Sequence, residues 1–181
     1  MKRTLIAATL LGLAPALTAG GAAAAWAESP LALAQARAAS APYHDTDSAT
    51  DAGYAPFPDG VPLHECITAP DPEDGAMGYH WLKASLVDAE LDPAQPEVLV
   101  YEPRTDGTLR LVATEYVVFA EAWEAAHPGT TPELFGRELA YVGAPNRYEL
   151  PSFYQVHAWV WRHNPHGMFA DHNPRVHCEQ D

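Results

Sequence analysis

The sequence predicts a mainly β fold: an antiparallel sheet curled into a small barrel or half-barrel, with one or two short helices. Three observations predict it. Runs of β-branched and aromatic residues recur between residues 76 and 163, Gly- and Pro-containing turns separate them, and little helical periodicity remains to cover a second face of the sheet.

The first strand is "AMGYHWL", residues 76–82. Next come "EVLVYEP" at 97–103 and "TLRLVATEYVVF" at 108–119, joined by "RTDG", whose Asp-Gly step supplies the positive φ that a tight hairpin needs. These two segments should pair antiparallel. A short helix follows over Ala120 to Ala126, stopped by Pro128-Gly129, and "ELFG" forms a turn. "RELAYV" at 137–142 and "SFYQVHAWVWRH" at 152–163 complete a set of five strands.

Upstream of the sheet the composition changes twice. Lys2 and Arg3, an apolar run from Leu5 to Leu17, and small residues leading to Ala25-Trp26-Ala27 have the pattern of a secretory signal peptide over residues 1–27, cleaved near Ala27. No twin arginine and no lipid-accepting cysteine accompany it, so export to the periplasm or beyond is expected by the general Sec-type route. Residues 28–63, rich in Ala, Pro, Ser and Asp, lack the periodic apolar positions that offset ordering entropy and are expected to form a mobile arm. The globular domain is then residues 64–181.

Charge narrows the partners. The chain carries a formal charge of −14, and loss of Lys2 and Arg3 with the leader takes it to −16. Such a surface repels phosphate backbones and anionic membranes and attracts cations, which argues against nucleic acid and membrane insertion. The two cysteines, Cys66 and Cys178, would meet an oxidising compartment and are expected to bond to each other. Closing a loop of about 110 residues stabilises a fold by about 4–5 kcal/mol on chain-entropy grounds.

The chemistry concentrates at the C-terminal end. "HAWVWRHNPHGMFADHNPRVHC", residues 157–178, holds five of the nine histidines and two of the five tryptophans. Strand alternation puts Val156, Ala158 and Val160 on one face and His157, Trp159, Trp161 and His163 on the other. Aromatics exposed in a row are costly, so the second face is expected to line a pocket with Trp159, Trp161 and Tyr79. In "LRLVATEYVVF", Glu115 is the one charged residue of an otherwise apolar face, and His80 is polar among apolar neighbours in "MGYHWL". A buried carboxylate needs a partner.

His80, Glu115 and His157 are therefore expected to converge. Two imidazoles and a carboxylate suit a divalent transition metal, Zn or Cu, with a position open to water or a small ligand. The same trio serves equally as a metal-free hydrogen-bonded network, or as a carboxylate-oriented histidine for acid–base work. His163, His166, His172 and His177 are weaker candidates, because their Asn-Pro and His-Gly steps are also ordinary turn chemistry.

The segments "GAMGYH", "LRLVATEYVVF", "HAWVWRHNPHGMF" and "NPRVHC" resemble a family of small exported bacterial proteins of uncharacterised function, over most of residues 64–178. The resemblance implies an exported globular domain, with His at the positions of His80 and His157, Glu at that of Glu115, and Trp where this chain has His172. It carries over no activity. Two function classes stay open: an exported binder of a metal or small ligand in a His/Glu/Trp pocket, with or without enzymatic chemistry, and an envelope structural or interaction protein whose His/Glu cluster is only a core network.

Overall fold

The computed structural model describes residues 22–58 and 60–178. The expected leader lies for the most part outside the described residues. No helix among them is long and apolar enough to cross a membrane.

Helix α1 spans Ala22–Ser40, a 3-10 turn follows at Ala41–His44, and α2 spans Thr46–Asp51. Asp45 caps α2, accepting a hydrogen bond from the Asp47 N–H at 3.2 Å. The strands are β1 (Ala55–Pro56), β2 (Ile67–Thr68), β3 (Ala76–Leu82), β4 (Val98–Pro103) and β5 (Leu109–Phe119). After α3 (Ala120–Ala126) come the short hairpin β6 (Glu133–Leu134) and β7 (Arg137–Glu138), then β8 (Ala140–Val142) and β9 (Phe153–Ala158).

The main sheet runs β1-β3-β4-β5-β9-β8, with β2 also on β3, and every pairing is antiparallel. The path is open: β1 and β8 end it, and no pairing among the described residues joins them into a barrel. The β4–β5 hairpin forms as its sequence dictates. Asp106 accepts from the Thr108 N–H at 2.9 Å, and Gly107 takes the positive φ of the turn, +80°.

Two strands differ from the sequence expectation. "RELAYV" breaks into β7 and β8, because Leu139 turns inward and donates its N–H to Pro132 O at 2.9 Å. β9 ends at Ala158, five residues short of His163, because the chain folds back there. The Val160 N–H reaches Ala158 O at 2.8 Å, and the Trp161 and Arg162 N–H groups both donate to Val112 O.

The segment expected to be a mobile arm is instead packed across one face of the sheet. Ala36, Ser40 and Ala49 are fully buried, and Tyr54 nearly so. Ala36 joins Tyr116, Val156 and Ala158 in one core cluster, while Ala49 and Tyr54 join Leu99, Tyr101 and Leu111 in another. Tyr54 Oη donates to Pro96 O at 2.7 Å, Tyr101 Oη to Tyr43 O at 2.8 Å, and Trp161 Nε1 to Ser40 Oγ at 3.0 Å. Arg37 stacks its guanidinium 4.1 Å from the Trp161 ring centre and bonds Val160 O. Burial of small residues, with no periodic apolar stripe, is what composition could not report.

The opposite face is covered differently. Towards one end, Val98, Val100 and Ala113 pack with Trp159 and Val176 from the C-terminal segment. That segment is pinned by the exchange of backbone hydrogen bonds between Ala76 and Asn173 and by the Cys66–Cys178 disulfide, Cα–Cα 5.5 Å. At the other end Leu63, Ile67 and Met77 pack with Phe57, Tyr148 and Leu150. The candidate site sits on this face.

Candidate metal centre

Strand register builds the centre. Leu82, Val98, Glu115 and His157 are consecutive cross-strand partners across β3, β4, β5 and β9, so they point to the same face. His80 lies two residues before Leu82 on β3, opposite Val100, and projects to that face as well. His80 Nε2 is 3.5 Å from Glu115 Oε2, and His157 Nε2 is 3.8 Å from Glu115 Oε1. The two rings meet edge to face, centres 5.8 Å apart. One ligating atom from each of the three residues lies within 4.8 Å of the others. Donors about 2.0–2.2 Å from a tetrahedral ion stand roughly 3.3–3.6 Å apart, so a small contraction would close this set on one ion.

All three side chains are shut away from water: His80 is 3%, Glu115 6% and His157 0% exposed. The contrast with Glu102 is informative. That strand carboxylate is as buried, but Arg110 and Arg162 pair with it. The ion-pair partners of Glu115 among the described residues are the two imidazoles.

Hydrogen bonding fixes which nitrogens face inward. His80 Nδ1 lies 3.2 Å from Gly78 O, and a carbonyl only accepts, so Nδ1 carries the proton and Nε2 turns a lone pair towards Glu115. Gly78 is required for this: its φ is +116°, and a Cβ there would stand 2.4 Å from Tyr101 O. His157 Nδ1 points at Asp171 Oδ1, 3.8 Å away, and neither of its ring nitrogens has a hydrogen-bond partner. Asp171 also accepts from Gln155 Nε2 at 3.4 Å. A carbonyl behind one histidine and a carboxylate behind the other is how ligating imidazoles are commonly oriented.

Electrostatics divides the roles. Burial, then the neighbouring His157, push His80 down to about 3, so it is a neutral donor at pH 7. Burial raises the Glu115 pKa against the opposing pull of His157. Burial alone would lower His157, but Glu115 and Asp171 outweigh it and hold the pKa raised. The space between Glu115 and His157, 3.8 Å across, is thus one where positive charge is favoured.

Above the trio lies a cavity of about 310 Å³ with His80, Glu115 and Gln155 as its polar end. Its walls are apolar, from Phe57, Leu63, Met77, Leu82, Val117, Leu150 and Phe153 among others. Trp159, Trp161 and Tyr79, the pocket residues expected from strand parity, do not line this cavity. Trp161 is past the end of β9 and packs beneath α1 on the other face. Tyr79 follows the alternation to that face, beside Leu99 and Tyr101. Trp159 is buried beside His157, rings 6.2 Å apart and nearly parallel, and donates Nε1 to Ala170 O.

The tail histidines do not join the centre. His163, His166 and His177 are exposed, with His166 Nδ1 3.6 Å from Asp74. His172 is half-buried, its Nε2 lacks a hydrogen-bond partner, and burial lowers its pKa. Sequence reasoning missed Gln155, though it is two residues before His157 and shares its face. It also missed Glu97, 2% exposed just before β4, whose Oε2 accepts from the Val117 N–H at 3.2 Å.

No family model, no curated protein and no solved structure matches this chain.

Proposed function

We propose that this protein is an exported binder of a divalent transition metal, Zn or Cu, held by His80, Glu115 and His157 at the polar end of an apolar pocket. One observation carries the reading: three buried donors converge, and the His157 nitrogens have no hydrogen-bond partner, which is costly unless a cation or a proton fills the gap. The donor set also fits in chemical type. Two neutral imidazoles and one carboxylate leave a coordination position open, and His80 and Glu115, which line the cavity, turn that position towards it. A metal held there would polarise a carbonyl or activate a water.

A second reading has its own support. Glu115 and Asp171 flank His157 at 3.8 Å on either side, a charge-balanced cluster that needs no metal and suits a disulfide-closed structural protein of the envelope. Elemental analysis of protein purified without an affinity tag separates the two. Stoichiometric Zn or Cu, with a melting temperature lowered by chelator and restored by metal, supports the first; neither, the second.

A further inference from the structure

The cavity above the metal centre is too apolar to be a water channel and too large for the ion alone. At about 310 Å³ it is at the small end of the range for small-molecule sites, about 300–1,000 Å³. Its polar lining is small: His80, Glu115 and Gln155, and the Tyr148 hydroxyl, which is turned onto Met77 Sδ at 3.9 Å; side chains such as Met77, Val117 and Phe153 make up the rest. Among the described residues, no Lys or Arg lines it. A divalent ion with two neutral imidazoles and Glu115 has a net charge of +1. Asp171, half exposed, sits behind His157 and outside this donor set. The local charge is thus completed by one anionic group, and the walls select what is attached to it.

We propose that the cavity takes a small monocarboxylate with an apolar tail, the carboxylate on the open position of the metal and the tail along the apolar walls; this rests on the metal reading above. Binding is a ligand exchange, in which the carboxylate displaces water and no covalent bond of the ligand changes. The tail is aliphatic or aromatic, and both have the same head chemistry.

The test is calorimetric titration of the full chain, zinc-loaded and chelator-stripped, with butanoate, hexanoate, octanoate, 3-phenylpropionate, octanol and octylamine. Zinc content is measured on the same samples. The expected result is affinity rising up to about fourfold per added methylene, the increment for burying one such group. Octanoate or 3-phenylpropionate should bind at least tenfold tighter to the zinc-loaded protein than to the stripped one, and tighter than octanol or octylamine; which acid binds tighter identifies the tail. Val117→Phe, from the sheet, and Leu150→Phe, from the opposing loop, should each shorten the longest acid that binds while leaving zinc stoichiometry unchanged. Two walls are probed so that one misfolded variant leaves the other to report. Zinc uptake with no preference for carboxylate or tail length overturns this inference alone. If neither zinc nor copper is taken up, the metal reading is overturned and this inference with it.

Discussion

Glu115 and His157 stand directly opposite each other in the β5–β9 register, their polar atoms 3.8 Å apart, and the far nitrogen of His157 faces Asp171 at the same distance. His157 is thereby held between two carboxylates, one buried and one half exposed. The inner carboxylate is placed to share a ligand site with the imidazole, and the outer one to orient it.

From this follows the first prediction. Asp171→Asn removes the charge behind His157 but keeps the shape, and should weaken zinc affinity by about 10–100-fold. Competition against a chelating dye reads the change. An unaltered affinity would mean that Asp171 does not orient the ring.

Glu97, which is not one of the three candidate ligands, gives a pH dependence of stability set mainly by its own burial. Burial pushes its carboxyl up to about 8 in the fold, against the lowering effect of the Val117 N–H, from 4.5 in the free side chain. Between these values the folded chain holds a proton that the unfolded chain has released. The stabilisation is therefore complete below pH 4.5 and is lost as pH rises through 8. Urea unfolding across this window should show stability falling with pH, and Glu97→Gln should flatten that component. A slope unchanged by the substitution would place the proton elsewhere.

The disulfide should matter more than its position near a terminus suggests, because Cys66 and Cys178 are 112 residues apart in sequence. Replacing both by Ser should cost about 2–5 kcal/mol. The denaturation midpoint should fall and the slope should rise, because the unfolded chain without the cross-link is less compact. An unchanged midpoint would show that the Ala76–Asn173 backbone bridge and buried Val176 hold the C-terminal segment by themselves.

Much of the centre was legible because strand parity is a local rule. Glu115 stands alone as a charge in an apolar series, and His157 alternates with Val156 and Ala158, so their shared face follows once β5 and β9 pair. Trp161 escaped the same rule because the rule stops with the strand: β9 ends at Ala158, and the next residues turn onto Val112 O. The N-terminal segment was illegible for a different reason. Ala36, Ala49 and Ser40 pack closely because they are small, and small residues leave no hydrophobic periodicity to read. The apolar cavity drew on both failures, since Phe57 comes from that segment and Tyr148 and Leu150 from the loop before β9.

The most direct test of the metal centre is a zinc titration of three proteins: the wild type, Glu115→Gln, and a variant with His163, His166 and His177 all changed to Ala. The wild type should bind one ion tightly per chain, Glu115→Gln should keep the fold but lose about 100-fold or more in affinity, and the tail variant should bind like the wild type. Binding that survives Glu115→Gln and disappears with the tail histidines would contradict this metal centre.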